Sequence, residues 1–278
     1  MEWTPLVTED GSVTLVSTTV GQACHSRSGA WLEARERYAI PTRLRERALA
    51  LSGDDRMLRL LDVGTGLGLT IAAALDALEG TGVRLDVVTL ERDTSVLTAA
   101  ARIGREAIRG GAAPTADLDR SWALVLDTLA RALAAGPDPA SEPLGADRGR
   151  LRLLLGDGRE TIQRLPARPT FDAVFLDPFS PAADPPLWER EFLAAVAVRM
   201  APGSWLSTYC ASLEVRARLV LAGLRVGPGG MVGAKREGTL ASPDLDPGAF
   251  QPRVARKLAR RVERIQSRAP VPGNRCSS

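Results

Sequence analysis

The sequence predicts an α/β fold in which helices cover both faces of an open, mostly parallel sheet. Short apolar runs rich in leucine and valine alternate with helical segments, which is the pattern of strands buried on both faces. Four of these runs lead directly into a glycine or a carboxylate, and open α/β sheets bind ligands at the carboxyl ends of their strands. The length of 278 residues is enough for one such domain with a large core and additional segments.

The first 56 residues are predicted to form an N-terminal extension that covers the candidate site. Residues 13–19 alternate between apolar and polar side chains and predict a strand. Residues 30–51 predict helices that are interrupted at Pro41, because proline cannot donate a backbone hydrogen bond.

The sheet itself is predicted within residues 57–242. Its strands are expected near residues 58–63, 84–90, 151–155, 171–176, 204–210 and 231–240. Residues 94–149 are more than one crossover helix needs, so they predict a helical insertion, with a helix at 122–135 and a loop at 136–149.

A glycine-rich loop follows the first predicted strand of the sheet. The run LRLLDVGTGLGL places Asp62 at the end of the strand and Gly64, Gly66 and Gly68 in the turn that leads to an alanine-rich helix. Glycines let a backbone turn sharply and approach a ligand closely at the amino end of a helix. A glycine triplet alone is a weak signal, since it also occurs as an ordinary strand-to-helix turn.

Two further acids come at the ends of the next two predicted strands. Glu91 follows the second strand, where a carboxylate can accept hydrogen bonds from both hydroxyls of a ribose. Asp157 follows the third strand, within Gly156-Asp157-Gly158. Together these residues favour a nucleotide-type cofactor site over a scaffold without a ligand. The candidate cofactor-binding residues are Asp62, Gly64, Gly66, Gly68, Glu91 and Asp157.

The run FDAVFLDPFSPAADPPLWEREF is the most informative stretch of the chain. Its apolar half ends in Asp177, and a proline-rich loop then leads to a helix that is expected to open near Trp188. One interpretation is that Asp177 caps the loop, as aspartates at strand ends often do. The other interpretation, a functional carboxylate, gains support from the neighbouring strand ends.

These motifs together resemble the MnmC-type methyltransferase family, which acts in the synthesis of 5-methylaminomethyl-2-thiouridine in tRNA and belongs to the class I, Rossmann-like methyltransferases. The similarity covers about residues 8–240. It includes the N-terminal segment 10–38, the run Asp-Val-Gly-x-Gly-x-Gly, the acid at Glu91, the run LDPFSPAADPPLWE and the run GAKRE. Asp184 and Cys24 depart from the family pattern, which usually has asparagine and an aromatic residue at these positions.

The resemblance implies S-adenosyl-L-methionine as cofactor and methylation of the aminomethyl group of a modified wobble uridine. It places Asp177 in the catalytic position and Asp157 near the adenine amino group. It further implies substrate-binding or lid positions at His25, Ser26, Phe179, Pro181, Trp188 and Lys235. His25 is the only histidine, and a structural hydrogen bond and a role in covering the cofactor are equally compatible with its position. Nothing in the sequence resembles the FAD-dependent oxidase domain of MnmC, so we expect a stand-alone form.

Two alternatives to a tRNA methyltransferase remain open from the sequence. One is an N- or O-methyltransferase that acts on a small molecule, and the other is a non-catalytic relative that binds RNA or the cofactor. The acid and glycine set argues against the second, because a non-catalytic relative does not need Asp177.

Composition predicts a cytoplasmic protein without a membrane span or a metal site. No window offers 18 uninterrupted apolar residues, and Cys24, Cys210 and Cys276 lack the spacing of metal ligands. Nothing in the sequence indicates an oligomeric state.

The residues after 242 are predicted to form a basic tail. Residues 251–278 contain eight basic residues and one acid, for a net charge of +7 within a total of +3, so the rest of the chain carries −4. Residues 254–265 can form an amphipathic helix, which is either a solvated helix or a contact for tRNA. Residues 270–278 are expected to be disordered.

Overall fold

The N-terminal extension is a β-hairpin followed by helices. In the computed structural model, which describes residues 2–53, 56–111, 116–136, 140–232 and 237–268, β1 (Trp3–Val7) pairs antiparallel with β2 (Val13–Ser17). Helix α1 (Ala30–Glu33) continues as a π-helical segment, Ala34–Ala39, and α2 (Leu44–Ala50) follows. The strand at 13–19 and the interruption at Pro41 are therefore confirmed, whereas β1 was not predicted.

The remaining elements build the sheet and its two helical layers. In chain order they are β3 (Met57–Val63), α3 (Leu69–Ala77), β4 (Arg84–Glu91), α4 (Thr94–Arg109), α5 (Ala116–Ala134), β5 (Glu142–Pro143), β6 (Gly149–Leu155), α6 (Gly158–Thr161), β7 (Phe171–Leu176), α7 (Arg190–Ala197), β8 (Met200–Thr208), α8 (Leu213–Leu221), β9 (Arg225–Pro228), β10 (Thr239–Ser242) and α9 (Pro252–Arg268). Short 3-10 turns cover Ile162–Arg164 and Pro185–Trp188.

The described strands of the sheet have the order β5-β6-β4-β3-β7-β8-β10-β9. The five central strands, from β6 to β8, are parallel, while β5 and β10 run antiparallel to their neighbours. This arrangement confirms the predicted α/β fold with a mostly parallel, doubly wound sheet.

The bounds of the last strand, predicted near residues 231–240, are wrong among the described residues. Two short strands occupy this part of the chain: β9 ends before residue 231, and β10 overlaps only the end of the predicted range. Residues 233–236 lie outside the described ranges. The prediction failed because both strands have only four residues, and β9 carries glycine and proline, which weaken the apolar pattern of a strand.

Helices cover both faces of the sheet because its strands are apolar on both sides. In β3, Leu58 and Leu60 face a core shared with α3, α4, α5 and the N-terminal extension. Leu61 and Val63 face a second core, shared with α7 and α8. A strand that alternates between two dry layers in this way reads as a continuous apolar run, which explains why the sequence predicts it well.

The predicted insertion is a helical pair that closes one side of the first core. Helix α5 begins at Ala116, earlier than expected, and packs against α3 and α4. The indole of Trp122 donates a 2.9 Å hydrogen bond to the carbonyl of Leu67 in the glycine loop. The expected loop at 136–149 is also wrong in part, because β5 lies within it and adds an edge strand beside β6.

Helix α9 is docked on the body of the protein. It covers the predicted amphipathic helix and packs against α8, where Leu258 is 8% exposed. The guanidinium of Arg261 pairs with the carboxylate of Glu214 in α8. The expected disorder at 270–278 concerns residues outside the described ranges. Among the described helices, none is long and apolar enough to span a bilayer.

Candidate active site

The carboxyl ends of four neighbouring strands meet at one cavity of about 370 Å³. Gly64 follows β3, Glu91 ends β4, Asp157 follows β6, and Asp177 follows β7. All four residues line the cavity, as does Gly66. The strand-end signals in the sequence therefore mark one site, as expected for parallel strands.

The glycine loop needs glycine where it passes the next strand end. Gly64 has a φ angle of 91°, and a Cβ atom there would lie 2.5 Å from the carbonyl oxygen of Asp177. Gly68 has a φ angle of 70°, but its neighbour is Val125 of α5 and it does not line the cavity. Gly64 thus lets the loop and the Asp177 strand end lie together, whereas Gly68 serves the packing of the insertion.

Asp62 lies beneath the loop and does not line the cavity. Its carboxylate is fully buried and accepts hydrogen bonds from the hydroxyls of Thr70, at 3.0 Å, and Thr89, at 2.7 Å. Burial raises the pKa of Asp62 to about 7, against the lowering by the two threonines. The residue expected from sequence to bind the cofactor therefore braces the loop from inside.

Glu91 supports the same loop from the cavity side. One of its oxygens accepts hydrogen bonds from the backbone N–H groups of Arg92 and Asp93, each at 2.8 Å. The other accepts from Gly66 at 3.1 Å. Burial raises the pKa of Glu91, and these three backbone donors lower it. The carboxylate is thus fixed in orientation at the position predicted for ribose binding.

Asp157 is held mainly by its own helix turn. Its carboxylate accepts from the backbone N–H of Arg159 at 2.9 Å and from the Arg159 guanidinium at 2.6 Å. The hydrogen bond from Arg159 is the main cause that lowers the Asp157 pKa to about 2. Asp157 is therefore ionised, and Arg159 already occupies part of its capacity to accept hydrogen bonds.

Asp177 is half-buried and bonded to a tyrosine that the sequence analysis did not single out. The hydroxyl of Tyr38 donates to Oδ1 of Asp177. Burial raises the pKa of Asp177 well above its usual range, the nearby charge of Glu33 raises it further, and the Tyr38 hydrogen bond opposes this. The result is a carboxylate that is a stronger base than an exposed aspartate.

Tyr38 reaches Asp177 from the π-helical segment, next to a buried ion pair. Arg37 and Glu33 are 2% and 7% exposed, and the Arg37 Nε atom lies 3.5 Å from Oε1 of Glu33. Glu33 also accepts a 2.6 Å hydrogen bond from the backbone N–H of Ser26, which lines the cavity. The one sequence signal for this group is that Glu33 and Arg37 are four residues apart within the family-like N-terminal segment.

The N-terminal extension forms part of the cavity wall. His25 and Ser26 both line it. His25 is 7% exposed, its Nδ1 atom lies 3.2 Å from the Thr14 hydroxyl, and burial lowers its pKa to about 4. His25 is therefore neutral at pH 7, in a hydrogen bond within the extension, and it also faces the cavity.

Contacts between the extension and the proline-rich loop close the cavity on one side. The side chain of Gln22 donates to the Ser180 hydroxyl at 2.8 Å, and Trp3 stacks on Phe179 with ring centroids 6.2 Å apart. Phe179 and Ser180 line the cavity, as expected for Phe179.

Two of the predicted substrate or lid residues, Trp188 and Pro181, do not line the cavity. Trp188 is fully buried and donates a 2.7 Å hydrogen bond to the carbonyl of Phe179, so it supports the loop from behind. Pro181 lies in the same loop but outside the lining. Lys235 lies outside the described residues. Asp184, by contrast, lines the cavity, and its carboxylate is 3.6 Å from Arg92.

The charges around the cavity are mainly negative. Six acidic residues line it, together with two arginines, Arg27 and Arg92; the acids are Glu33, Glu91, Asp93, Asp157, Asp177 and Asp184. Across the described ranges, histidine, cysteine, aspartate and glutamate side chains form no group of three or more that could hold a metal ion. The cavity is thus suited to cationic groups rather than to anionic ones.

Comparisons with known proteins find a methyltransferase family and relatives named MnmC. Residues 136–244 match a family described as S-adenosyl-L-methionine-dependent methyltransferases. The tRNA 5-methylaminomethyl-2-thiouridine biosynthesis bifunctional protein MnmC of Pseudomonas aeruginosa is 33% identical over 240 residues, which cover 84% of this chain and 34% of that protein. The protein of the same name from Aromatoleum aromaticum is 32% identical over 224 residues, which cover 78% and 31%.

A solved structure has the same overall architecture. The crystal structure of MnmC2 from Aquifex aeolicus superposes with a TM-score of 0.73 at 28% identity, over 93% of this chain and 76% of that one. The chain spans about a third of the length of the curated relatives named above.

Proposed function

Because this chain is an MnmC-like methyltransferase that uses S-adenosyl-L-methionine, we propose that it methylates the aminomethyl group of a modified wobble uridine in tRNA. The observation that carries the proposal is Asp177, a carboxylate of raised pKa at a strand end within a mainly acidic cavity. Such a cavity favours an amine over an acidic acceptor. A tRNA substrate also implies that the protein acts in the cytoplasm.

The residues at the strand ends fit the cofactor. Gly64 lets the loop lie directly against the Asp177 strand end at the cavity, and Glu91 keeps a fixed carboxylate there. We assign Glu91 to the ribose hydroxyls, the backbone of Gly64 and Gly66 to the part of the cofactor that lies over the loop, and Asp157 to the adenine amino group. When bound, S-adenosyl-L-methionine supplies an electrophilic methyl group on a sulfonium.

The chain's own contribution is to hold the acceptor amine and to accept its proton. An alkylamine has a pKa of about 10, so it must lose a proton before its lone pair can attack. Tyr38 engages Oδ1 of Asp177, which leaves Oδ2 to accept a hydrogen bond from the amine. The raised pKa of Asp177 lies closer to the pKa of the amine, so the carboxylate can take up the proton of the amine. The hydrogen bond from the amine to the same carboxylate orients the amine.

Methyl transfer to defined tRNA tests this proposal. The substrate is tRNA with an aminomethyl wobble uridine, the control is tRNA without that amine, and nucleoside mass spectrometry gives the product. We expect methylaminomethyl nucleoside only from the first tRNA. Asp177→Asn should lower the rate by about 100-fold, the usual effect of a general base, with little change in cofactor affinity.

A small-molecule acceptor is the alternative, and the net charge of −4 on residues 1–250 favours it, because RNA-binding surfaces are usually basic. No transfer to aminomethyl tRNA, together with transfer to free amines, would support that alternative and contradict the proposal.

A further inference from the structure

Helix α9 carries a row of basic side chains that face solvent. Arg253, Arg256, Lys257 and Arg260 are exposed. At the 3.6 residues per turn of an α-helix, they lie within about 100° of one another around the axis and extend over about 10 Å. We call these four residues the basic stripe.

The opposite part of α9 is already occupied by the protein. Val254, Leu258, Val262 and Ile265 are buried or half-buried on the side that packs against α8. Arg261 pairs with Glu214, and an Arg264 guanidinium nitrogen lies 3.8 Å from the same carboxylate. The helix is therefore docked through its apolar side and two arginines, and this docking points the basic stripe outward.

Helix α8 connects this surface to the edge of the sheet that holds the cavity. Glu214 is in the first turn of α8, only five residues after Tyr209, which lines the cavity. From the same helix, Arg218 donates a 2.9 Å hydrogen bond to the carbonyl of Trp188 and lies 3.1 Å from the Glu189 carboxylate. Helix α8 thus contacts the end of the proline-rich loop that follows Asp177, and α9 packs on α8.

We propose that the basic stripe binds backbone phosphates of the RNA whose modified uridine enters the cavity, an inference that rests on the proposed function. Guanidinium and ammonium groups are the usual phosphate ligands in protein–RNA contacts. The acidic cavity repels an RNA backbone, so attraction has to come from outside it. α9 concentrates seven basic residues and one acid within 17 residues.

An anionic membrane is the other partner that a basic amphipathic helix can bind, but the docking of α9 argues against it. Membrane-surface helices insert their apolar side between lipids. Here Leu258 is 8% exposed and that side faces α8, so it is not available for insertion into a lipid layer.

A charge-matched pair of variants of the full chain tests the inference. The stripe variant is Arg256→Gln, Lys257→Gln and Arg260→Gln. The control is Arg164→Gln, Arg168→Gln and Arg225→Gln, three exposed arginines near the amino ends of β7 and β9, at the opposite edge of the sheet. Both variants lose three positive charges, so they differ in position and not in net charge.

We expect the stripe variant to bind aminomethyl tRNA about tenfold more weakly at moderate salt, with a salt slope reduced by about 2. Its KM for tRNA should rise by a similar factor, while its affinity for S-adenosyl-L-methionine should equal that of the wild type. The control should match the wild type in all of these measurements.

The inference would be overturned if the stripe variant, the control and the wild type had equal tRNA affinity and salt slope. If the wild type still methylates tRNA, that result leaves the proposed function intact. The same holds if the stripe variant loses binding to anionic phospholipid vesicles but not to tRNA. Absence of tRNA methylation by the wild type would instead reject the proposed function itself.

Discussion

Asp177 is surrounded by groups that act on its protonation in opposite directions. Burial and the Glu33 carboxylate favour the neutral acid, whereas the Tyr38 hydrogen bond and the charge of Arg37 favour the carboxylate. The charges of Glu33 and Arg37 act on the Asp177 pKa through space, and they act in opposite directions. Tyr38 contacts the carboxylate directly.

Replacing Tyr38 by phenylalanine should make Asp177 harder to ionise. The hydroxyl stabilises the charged carboxylate, so its loss raises the Asp177 pKa and moves the acidic limb of the pH–rate profile to higher pH. A hydrogen bond to a charged group contributes about 1.5–3 kcal/mol, so the ionised fraction of Asp177, and with it kcat on the acidic limb, should fall by about tenfold or more. Calorimetry should give an unchanged affinity for S-adenosyl-L-methionine. A lower melting temperature with an unshifted pH profile would show that Tyr38 only packs.

His25 should titrate near pH 4 in the folded protein. Burial disfavours its charged form, so the ring stays neutral down to that pH. Since it is the only histidine, its Cε1 proton gives one NMR resonance whose shift can be followed against pH in protein without a histidine tag. A midpoint near the ordinary 6.5 would mean that the extension is open around His25.

At the scale of elements, the glycine loop packs closely against the Asp177 strand end. Gly64 N–H donates to the carbonyl of Leu90 in β4, and the Asp177 N–H donates to Val63 in β3. Three strand ends are therefore linked by backbone hydrogen bonds around one glycine. Any side chain at this glycine displaces the backbone of the proposed catalytic residue.

Gly64→Ala tests this close approach of the loop to Asp177, with Gly80→Ala as its matched control. Both glycines have positive φ angles, of 91° and 72°, so both alanines carry the same kind of backbone strain, about 1–2 kcal/mol. Only Gly64 has a neighbour that clashes, since nothing lies within 4 Å of a Cβ atom at Gly80. We expect both variants to lose some thermal stability, but only Gly64→Ala to lose cofactor binding by tenfold or more. Equal cofactor affinity in both would contradict the close approach.

The sequence predicted the central strands well and the edge elements poorly, for one physical reason. β3, β4 and β7 are buried on both faces, and their apolar runs are therefore unmistakable. β1, β5 and β9 lie at edges or in the extension, have between two and five residues, and carry proline or glycine. Their pairing depends on neighbours that are remote in sequence.

The same limit applies to the candidate site. Strand-end position identified Gly64, Glu91, Asp157 and Asp177 as cavity residues, because parallel strands end at a common edge. Position in a motif does not reveal which way a side chain points, so Asp62 and Trp188 were expected at the cavity but are buried behind it. Tyr38 could not be found because its direction depends on the turn of the π-helical segment.

At the scale of the whole molecule, buried titratable groups link the site to stability. Asp62 has a folded pKa of about 7, raised from 3.8, so the folded state binds a proton that the unfolded state releases between these values. Asp62 therefore lowers the free energy of unfolding as pH rises from about 4 to 7. His25 has the opposite sign, because its folded pKa is lowered and stability is lost as pH falls from 6.5 to about 4.

Asp62→Asn should remove the loss of stability that Asp62 causes as pH rises from about 4 to 7. Urea unfolding of the wild type and the variant at pH 5 and pH 8 gives the comparison. We expect the variant to gain stability relative to the wild type at pH 8, by up to the order of 4 kcal/mol that the pKa difference allows. The control is Asp147→Asn, at an exposed position. A stability difference between variant and wild type that is the same at both pH values would contradict the raised pKa.

The direction of Tyr38 depends on the number of residues in the π-helical segment Ala34–Ala39. Its backbone bonds span five residues, as in the 2.9 Å bond from the Ile40 N–H to the Arg35 carbonyl, so each turn holds more residues than an α-helix. In an α-helix one residue corresponds to about 100° of rotation around the axis. Removing a single alanine here would turn Tyr38 away from Asp177 while leaving composition and apolar content nearly unchanged. The number of residues in this segment is therefore constrained by the geometry of a hydroxyl that has to reach a carboxylate.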